Sequence, residues 1–374
     1  MKTEPIGLYV HVPFCIKKCN YCDFCSYSSV DISMRRAYIQ ALATEIKRYR
    51  KEEKTWVDTI FFGGGTPSLL EPDEVEIICD AIGNTFNVSG DCEFTVEANP
   101  KTLTREKLEA YISHGVNRIS IGLQTIHENE RKILGRIHNF EDFLEAYSMV
   151  RECGILNVGV DVMYGIPAQS VKSFRKTLEA VASLSPNHIS AYGLILEENT
   201  PLWQIRKELS FPTEDEECEM YELACSFLAS CGYNHYEISN YAKAGYESRH
   251  NLKYWENKSY IGVGASAHSC YGGKRYSNFA GIEEYLSENP TQYVTEELHD
   301  SKAAAYEFVM LGLRLKKGIS LSEYKSLFLS DFLTGREEKI ISFVKGEYMT
   351  FDGDRIALTE KGFYVSNTIL TDLL

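Results

Sequence analysis

Along the first half of the chain, short apolar runs alternate with longer amphipathic stretches. Leu8-Tyr9-Val10-His11-Val12 is an apolar strand. Met34 to Lys54 follows as a helix, with Ile39, Leu42, Ala43, Ile46 and Tyr49 on one face and charges opposite. Thr59-Ile60-Phe61-Phe62 is a second apolar run that ends in glycines, and Pro72 to Ile82 is helical, with Pro72 and Asp73 suited to a first turn. The alternation continues through strand Cys92 to Ala98, helix Thr104 to His114, strand Arg118 to Gly122 and helix Phe140 to Cys153. It ends with strand Asn157 to Met163, helix Ser170 to Leu184 and strand His188 to Leu194. Six near-continuous apolar strands joined by helices predict an α/β fold with a parallel sheet covered on both faces. Right-handed crossovers would make it an open doubly wound sheet or a partial barrel, and the pattern alone leaves both open.

Further on, Pro212-Thr213-Glu214-Asp215-Glu216 is a helix start with acids in its first turn, and the helix should run from Thr213 to Gly232. Tyr236 to Tyr241 leads into a stretch rich in Gly, Tyr and His that has loop character up to about Phe279. Helical patterns return from Asp300. Glu347 to Phe351 and Arg355 to Leu358, separated by Asp352-Gly353-Asp354, form a predicted hairpin. The expected division is residues 1–240, 241–299 and 300–374, the last a smaller α+β unit of winged-helix type. A nucleic-acid-reading wing would be basic, yet from Ser301 onward there are ten basic and ten acidic residues, so a packing or lid role is expected.

Composition narrows the class. With 374 residues and 44% hydrophobic content the chain can bury a full core, and its net charge of -14 makes it a poor general binder of nucleic acid. It shows neither an opening signal-peptide pattern nor 18 consecutive apolar residues, which points to a soluble cytosolic protein. Eleven cysteines in that setting are unlike a disulfide framework. Cys79, Cys92, Cys153, Cys218, Cys225, Cys231 and Cys270 are scattered and read as buried small hydrophobes.

The remaining cysteines carry the chemistry. Cys15, Cys19 and Cys22 form a C-x3-C-x2-C run in the loop after the first strand. Three thiolates so close can hold three irons of a cubane 4Fe-4S cluster and leave the fourth iron for a non-protein ligand. A zinc knuckle would normally supply a second pair of ligands, and none stands at matching spacing. Gly63-Gly64-Gly65-Thr66-Pro67 ends the second strand. Such a run brings backbone groups close to a ligand, but it lacks the Gly-Lys-Ser/Thr ending of a phosphate loop. Glu97, Gln124 and Asp161 stand on or just past apolar strands, where a polar side chain is costly to bury without a partner.

The cysteine run followed by Gly63-Gly64-Gly65-Thr66-Pro67 resembles the radical S-adenosylmethionine (SAM) superfamily. Within it, His11-Val12-Pro13-Phe14-Cys15, Cys22-Asp23-Phe24, Asp161 to Pro167 and His250-Asn251-Leu252-Lys253-Tyr254-Trp255 resemble the heme chaperone HemW family, relatives of oxygen-independent coproporphyrinogen III oxidases. The resemblance implies a partial (βα)6 TIM-like barrel with chemistry at the carboxyl ends of the strands. It implies a 4Fe-4S cluster on Cys15, Cys19 and Cys22, with SAM contacted by Tyr9, Tyr21, Gly64, Gly65, Thr66, Glu97, Gln124, Arg136, Asp161 and Ile195. It also implies a heme site at His250, Asn251, Tyr254 and Trp255, with His268 a lesser candidate, and hemoprotein recipients that include respiratory ones at the membrane surface. Taken alone, a histidine among aromatics is more often an ordinary packed residue.

Three functions are compatible with these residues. The favoured one is a heme chaperone carrying a SAM-liganded cluster and delivering heme to target hemoproteins. The second is SAM-dependent oxidative decarboxylation of coproporphyrinogen III. The third is a non-catalytic iron-sulfur scaffold or redox sensor. Against the second stand only 14 residues before Cys15 and an extra thiol, Cys25, three residues after Cys22 rather than the two expected of the oxidases.

Overall fold

The computed structural model describes residues 4–28, 30–287, 295–298 and 301–374. Six parallel strands form its centre: β1 Ile6–Val12, β2 Trp56–Gly64, β3 Asn87–Ala98, β4 Arg118–Gln124, β5 Asn157–Tyr164 and β6 His188–Gly193. Each is followed by helix, and the strands pair in chain order, so the fold is the partial (βα)6 barrel with a smaller C-terminal unit. Leu8, Val10 and Val12 of β1 point to one face with Ile39, Leu42 and Ile46 of helix Ile32–Arg48 in a single apolar core. Side-chain caps start the helices where the sequence places them: Asp31, Asn139, Ser170 and Thr213 each accept a backbone N–H of the first turn. Helix Ile32–Arg48 stops short of the expected Lys54, because Lys51-Glu52-Glu53-Lys54 offers no apolar position to bury.

The largest departure from expectation lies between residues 241 and 279. Instead of loop, it holds helix Arg249–Trp255 and three strands, β9 Tyr260–Val263, β10 His268–Tyr271 and β11 Lys274–Ser277. Strand β9 pairs in parallel with β1, adding a seventh parallel strand, and β10, β11 and β12 Thr295–Leu298 extend that edge antiparallel. The turn between β10 and β11 is Gly272-Gly273, both at positive φ (65° and 75°), which favours a tight two-residue hairpin. At the opposite edge β8 Asn240–Ala242 pairs with β6, and β7 Asn234–Glu237 pairs with β8. The barrel therefore stays open, with each edge continued by antiparallel strands. Residues 288–294 and 299–300 of the expected middle segment lie outside the described residues.

The C-terminal unit is a three-stranded antiparallel sheet, Ile319–Ser320, Arg355–Leu358 and Met349–Phe351, with helices that include Leu321–Phe328, Glu337–Lys345 and Ser366–Leu373. The predicted hairpin is its centre. No described helix is long and apolar enough to cross a membrane.

Candidate functional site

A cavity of about 620 Å³ opens at the carboxyl ends of the parallel strands, the end at which such folds place their chemistry. Its lining contains Cys15, Cys19, Cys22, Tyr21, Gly64, Gly65, Thr66, Glu97, Gln124, Arg136, Asp161 and Ile195. Every expected cluster and SAM residue except Tyr9 is thus brought to one place. Tyr9 lies inside the barrel instead, stacked on Phe61 (centroids 6.2 Å apart), with its hydroxyl 3.0 Å from His11 Nδ1.

The cysteine loop is clamped at its base. Phe14–Cys15 pairs in parallel with Tyr27–Ser28, and Tyr27 N donates to the Pro13 carbonyl at 2.7 Å. Its middle is held by Asn20, whose backbone and side-chain N–H groups donate to the Leu134 and Ile133 carbonyls at 2.9 and 2.8 Å. Those carbonyls end helix Glu128–Leu134, which turns away at Gly135 (φ 73°). The sequence reading missed both this helix and the role of Asn20. A helix this short shows little periodicity, though Leu134-Gly135 is a readable stop signal.

All three thiols are free and half-buried. Burial pushes the Cys15 and Cys22 thiols up, so a metal that binds them must displace protons. Thr66 Oγ1 stands 3.6 Å from Cys15 Sγ, and Arg136 Nη1 3.5 Å from Cys19 Sγ. Cys25 is turned elsewhere: its thiol donates to the Ala280 carbonyl at 2.7 Å, and it takes no part in the cavity wall.

The glycine run approaches this loop too closely for side chains. Gly64 has φ 109°, and a Cβ there would lie 2.5 Å from the His11 ring; one at Gly65 would lie 2.7 Å from the Phe14 carbonyl oxygen. The run's N–H groups are already engaged, Gly64 to Glu97 Oε2 (3.3 Å), Gly65 to Val12 O and Thr66 to Phe14 O (both 2.8 Å). What the run can offer a ligand is carbonyl oxygen, which suits an ammonium and not a phosphate.

Two carboxyl groups are enclosed below it. Burial, helped by the Asp161 charge, pushes Glu97 up to about 8. Asp161 is also raised by burial, while Ser120 Oγ donates to it at 3.1 Å. Gln124 ends β4 in left-handed backbone (φ 65°), at a register shift against β5, and its side chain reaches within 3.5 Å of the Tyr192 hydroxyl. Ser120, Ser190 and Tyr192 are lining residues that the sequence reading missed; each sits on a correctly placed strand, where the face it would point to was not readable.

The donor set fits the group that the motif implies. Three thiols line one cavity, Cys19 beside the Arg136 cation, and Gln124 Oε1 and Arg136 Nε are buried there without a hydrogen-bond partner, one acceptor and one donor left over for a ligand.

The residues expected to hold heme lie elsewhere. Helix Arg249–Trp255 packs below the cavity, on the amino-terminal side of the strands, with Glu93 in the middle of β3 accepting the backbone N–H groups of Arg249 and His250 (3.2 and 3.1 Å). His250 is fully buried, its Nδ1 2.9 Å from Thr59 Oγ1 and its Nε2 2.8 Å from the Tyr254 hydroxyl. With both ring nitrogens occupied, this arrangement gives His250 no open atom for an axial ligand. Tyr254 packs edge-on against Tyr260, Asn251 N is part of the helix cap on Ser248, and Trp255 ends the helix; none lines the cavity. His268, by contrast, is exposed.

Comparison with known proteins supplies a family and a fold. The sequence model of the Radical SAM superfamily matches residues 9–181, and that of the HemN C-terminal domain matches residues 300–365. The heme chaperone HemW of Lactococcus lactis is 34% identical over 377 residues, covering 100% of this chain and 98% of its own. The heme chaperone HemW of Escherichia coli is 32% identical, covering 99% and 98%. Among solved structures, coproporphyrinogen III oxidase (HemN) from Escherichia coli superposes with a TM-score of 0.86 at 21% identity, over 100% of this chain and 91% of that one, a likeness of fold.

Proposed function

Because the chain belongs to the radical SAM superfamily and, within it, to the heme chaperone HemW family, we propose that it carries a 4Fe-4S cluster and SAM at the barrel mouth, binds heme and delivers it to hemoproteins. The observation that carries the cofactor part is the convergence of three free thiols, an acceptor-only glycine run and two unpartnered polar atoms on one cavity. Bound there, the cluster and SAM would supply one-electron chemistry.

The chain's own residues have separable tasks. Cys15, Cys19 and Cys22 would hold the iron, and Arg136 would balance the thiolate charge of Cys19 while its free Nε meets a carboxylate. Gly64, Gly65 and Thr66 would accept an ammonium, and Asp161 and Glu97 would accept hydroxyls, with Gln124, Tyr21 and Ile195 completing the wall. Phe24 and Ile195, 69% and 72% exposed on the cavity lining, form an apolar rim that can receive the edge of a flat macrocycle. Of the two histidines weighed for heme, neither lines the cavity, and His268 is the one with an exposed ring. The functional division would run 1–240, 241–299 and 300–374, with the middle part continuing the barrel's sheet and the last unit acting as a packing element. Recipients would be hemoproteins, including respiratory ones at a membrane surface, met in the cytoplasm.

The test is anaerobic. The reconstituted protein should bind heme at about one equivalent, and incubation with coproporphyrinogen III, SAM and a reductant should leave the porphyrinogen unchanged. Protoporphyrinogen formed over several turnovers would replace the chaperone reading with the oxidase.

A further inference from the structure

Outside the cavity lining, the barrel and the C-terminal unit meet at a mixed donor set. Cys225 lies on helix Glu214–Ser230, His235 on β7, and Glu360 opens helix Glu360–Tyr364 of the C-terminal unit. One ligand-type atom from each lies within 4.8 Å of the other two, and Cys225 Sγ is 4.0 Å from His235 Nδ1. We propose that these three side chains form a site for a zinc-class divalent cation that fastens the C-terminal unit to the barrel.

The orientation of His235 points to a ligand. Its Nε2 stands 3.4 Å from the Ile238 carbonyl oxygen, which can only accept; the tautomer that serves this contact carries its proton on Nε2 and turns the Nδ1 lone pair to Cys225. A backbone carbonyl behind the distal nitrogen is the usual way a metal-binding imidazole is oriented. Tyr241 fixes the ring from its face, stacked at 4.5 Å and 15°, and its hydroxyl lies 3.2 Å from Cys225 Sγ, where it can donate to a thiolate.

Packing alone accounts for a buried cysteine, but not for an imidazole lone pair aimed at it beside a carboxylate from another unit. Sulfur, nitrogen and oxygen at this number suit zinc, with water at the fourth position. As the sulfur-metal bond forms, the Cys225 thiol proton leaves to solvent, and thiolate plus carboxylate then balance the dication. Lys316 Nζ is 3.5 Å from Glu360 Oε1 and can keep one carboxylate oxygen while the other turns to the metal.

Cobalt(II) is the probe, in a full-length chain with Cys15, Cys19 and Cys22 changed to Ala so that the loop cannot compete. Titration should give tetrahedral visible bands with a thiolate charge-transfer band, saturating at about one cobalt and bleached by zinc. Adding Glu360→Gln, an exposed position that leaves the core untouched, should weaken binding at least tenfold and abolish the rise in Tm that zinc gives the parent. Cys225→Ser should remove the charge-transfer band. Absence of tetrahedral bands, or equal affinity with and without Glu360→Gln, would overturn the site.

Discussion

Arg136 reaches the Cys19 sulfur: Nη1 is 3.5 Å from Sγ, while Nη2 donates to the Gly122 carbonyl at 2.7 Å and Nε is left without a partner. One guanidinium thus ties the cysteine loop to the end of β4 and keeps a donor for the cavity. A hydrogen bond to a charged group contributes about 1.5–3 kcal/mol, so Arg136→Gln should weaken SAM binding by roughly 10- to 100-fold. Equilibrium dialysis with labelled SAM measures this, with iron content expected to stay at the wild-type level. Undiminished affinity would remove Arg136 from the cofactor site.

Glu97 makes stability depend on pH. Its carboxyl, pushed up to about 8 against an ordinary 4.5, holds a proton in the folded chain that the unfolded chain has lost. Its contribution is therefore present at acid pH, declines as pH rises from 4.5 to 8, and changes no further above that. Glu97→Gln should flatten the slope, on the order of 1 kcal/mol per pH unit, in denaturant titrations across that window. An identical slope in the variant would show that Glu97 titrates normally.

His250 should matter for folding rather than for heme. Removing a buried ring with two hydrogen bonds costs about 2–4 kcal/mol, so His250→Ala should lower the denaturation midpoint. Burial pushes His250 down to about 3 from 6.5, so the wild type should also lose stability as pH falls through that range, less so in the variant. Heme affinity per folded molecule should be unchanged in His250→Ala and reduced in His268→Ala. The opposite pattern in heme titrations would restore the heme site to helix Arg249–Trp255.

Much of this was legible before the fold was known, for stated reasons. The six parallel strands were found because strands buried on both faces read as uninterrupted apolar runs, as in Arg118–Gln124, where every residue is buried. The cavity residues were found because the cysteine spacing and the glycine run are local signals that survive without tertiary context. Strands β9 to β11 were missed because four-residue segments carry no clear period, although Gly272-Gly273 was an available hairpin signal. That Tyr9 and His250 do not line the cavity was not legible, for a different cause. A strand residue such as Tyr9 can point toward either end of a barrel, and where the helix that carries His250 packs is set by tertiary contacts, here with Thr59 and Glu93, that no local pattern reports.

The central claim is that three cysteines hold the cluster and SAM completes it. Electron paramagnetic resonance of the reduced, reconstituted protein with methionyl-15N SAM tests it most directly, in wild type, Cys25→Ala and Cys19→Ala. The account predicts a nitrogen hyperfine coupling in wild type and, undiminished, in Cys25→Ala, whose thiol is engaged with the Ala280 carbonyl, and loss of the cluster signal in Cys19→Ala. A cluster signal that ignores SAM, a coupling that depends on Cys25, or zinc in place of iron would contradict it.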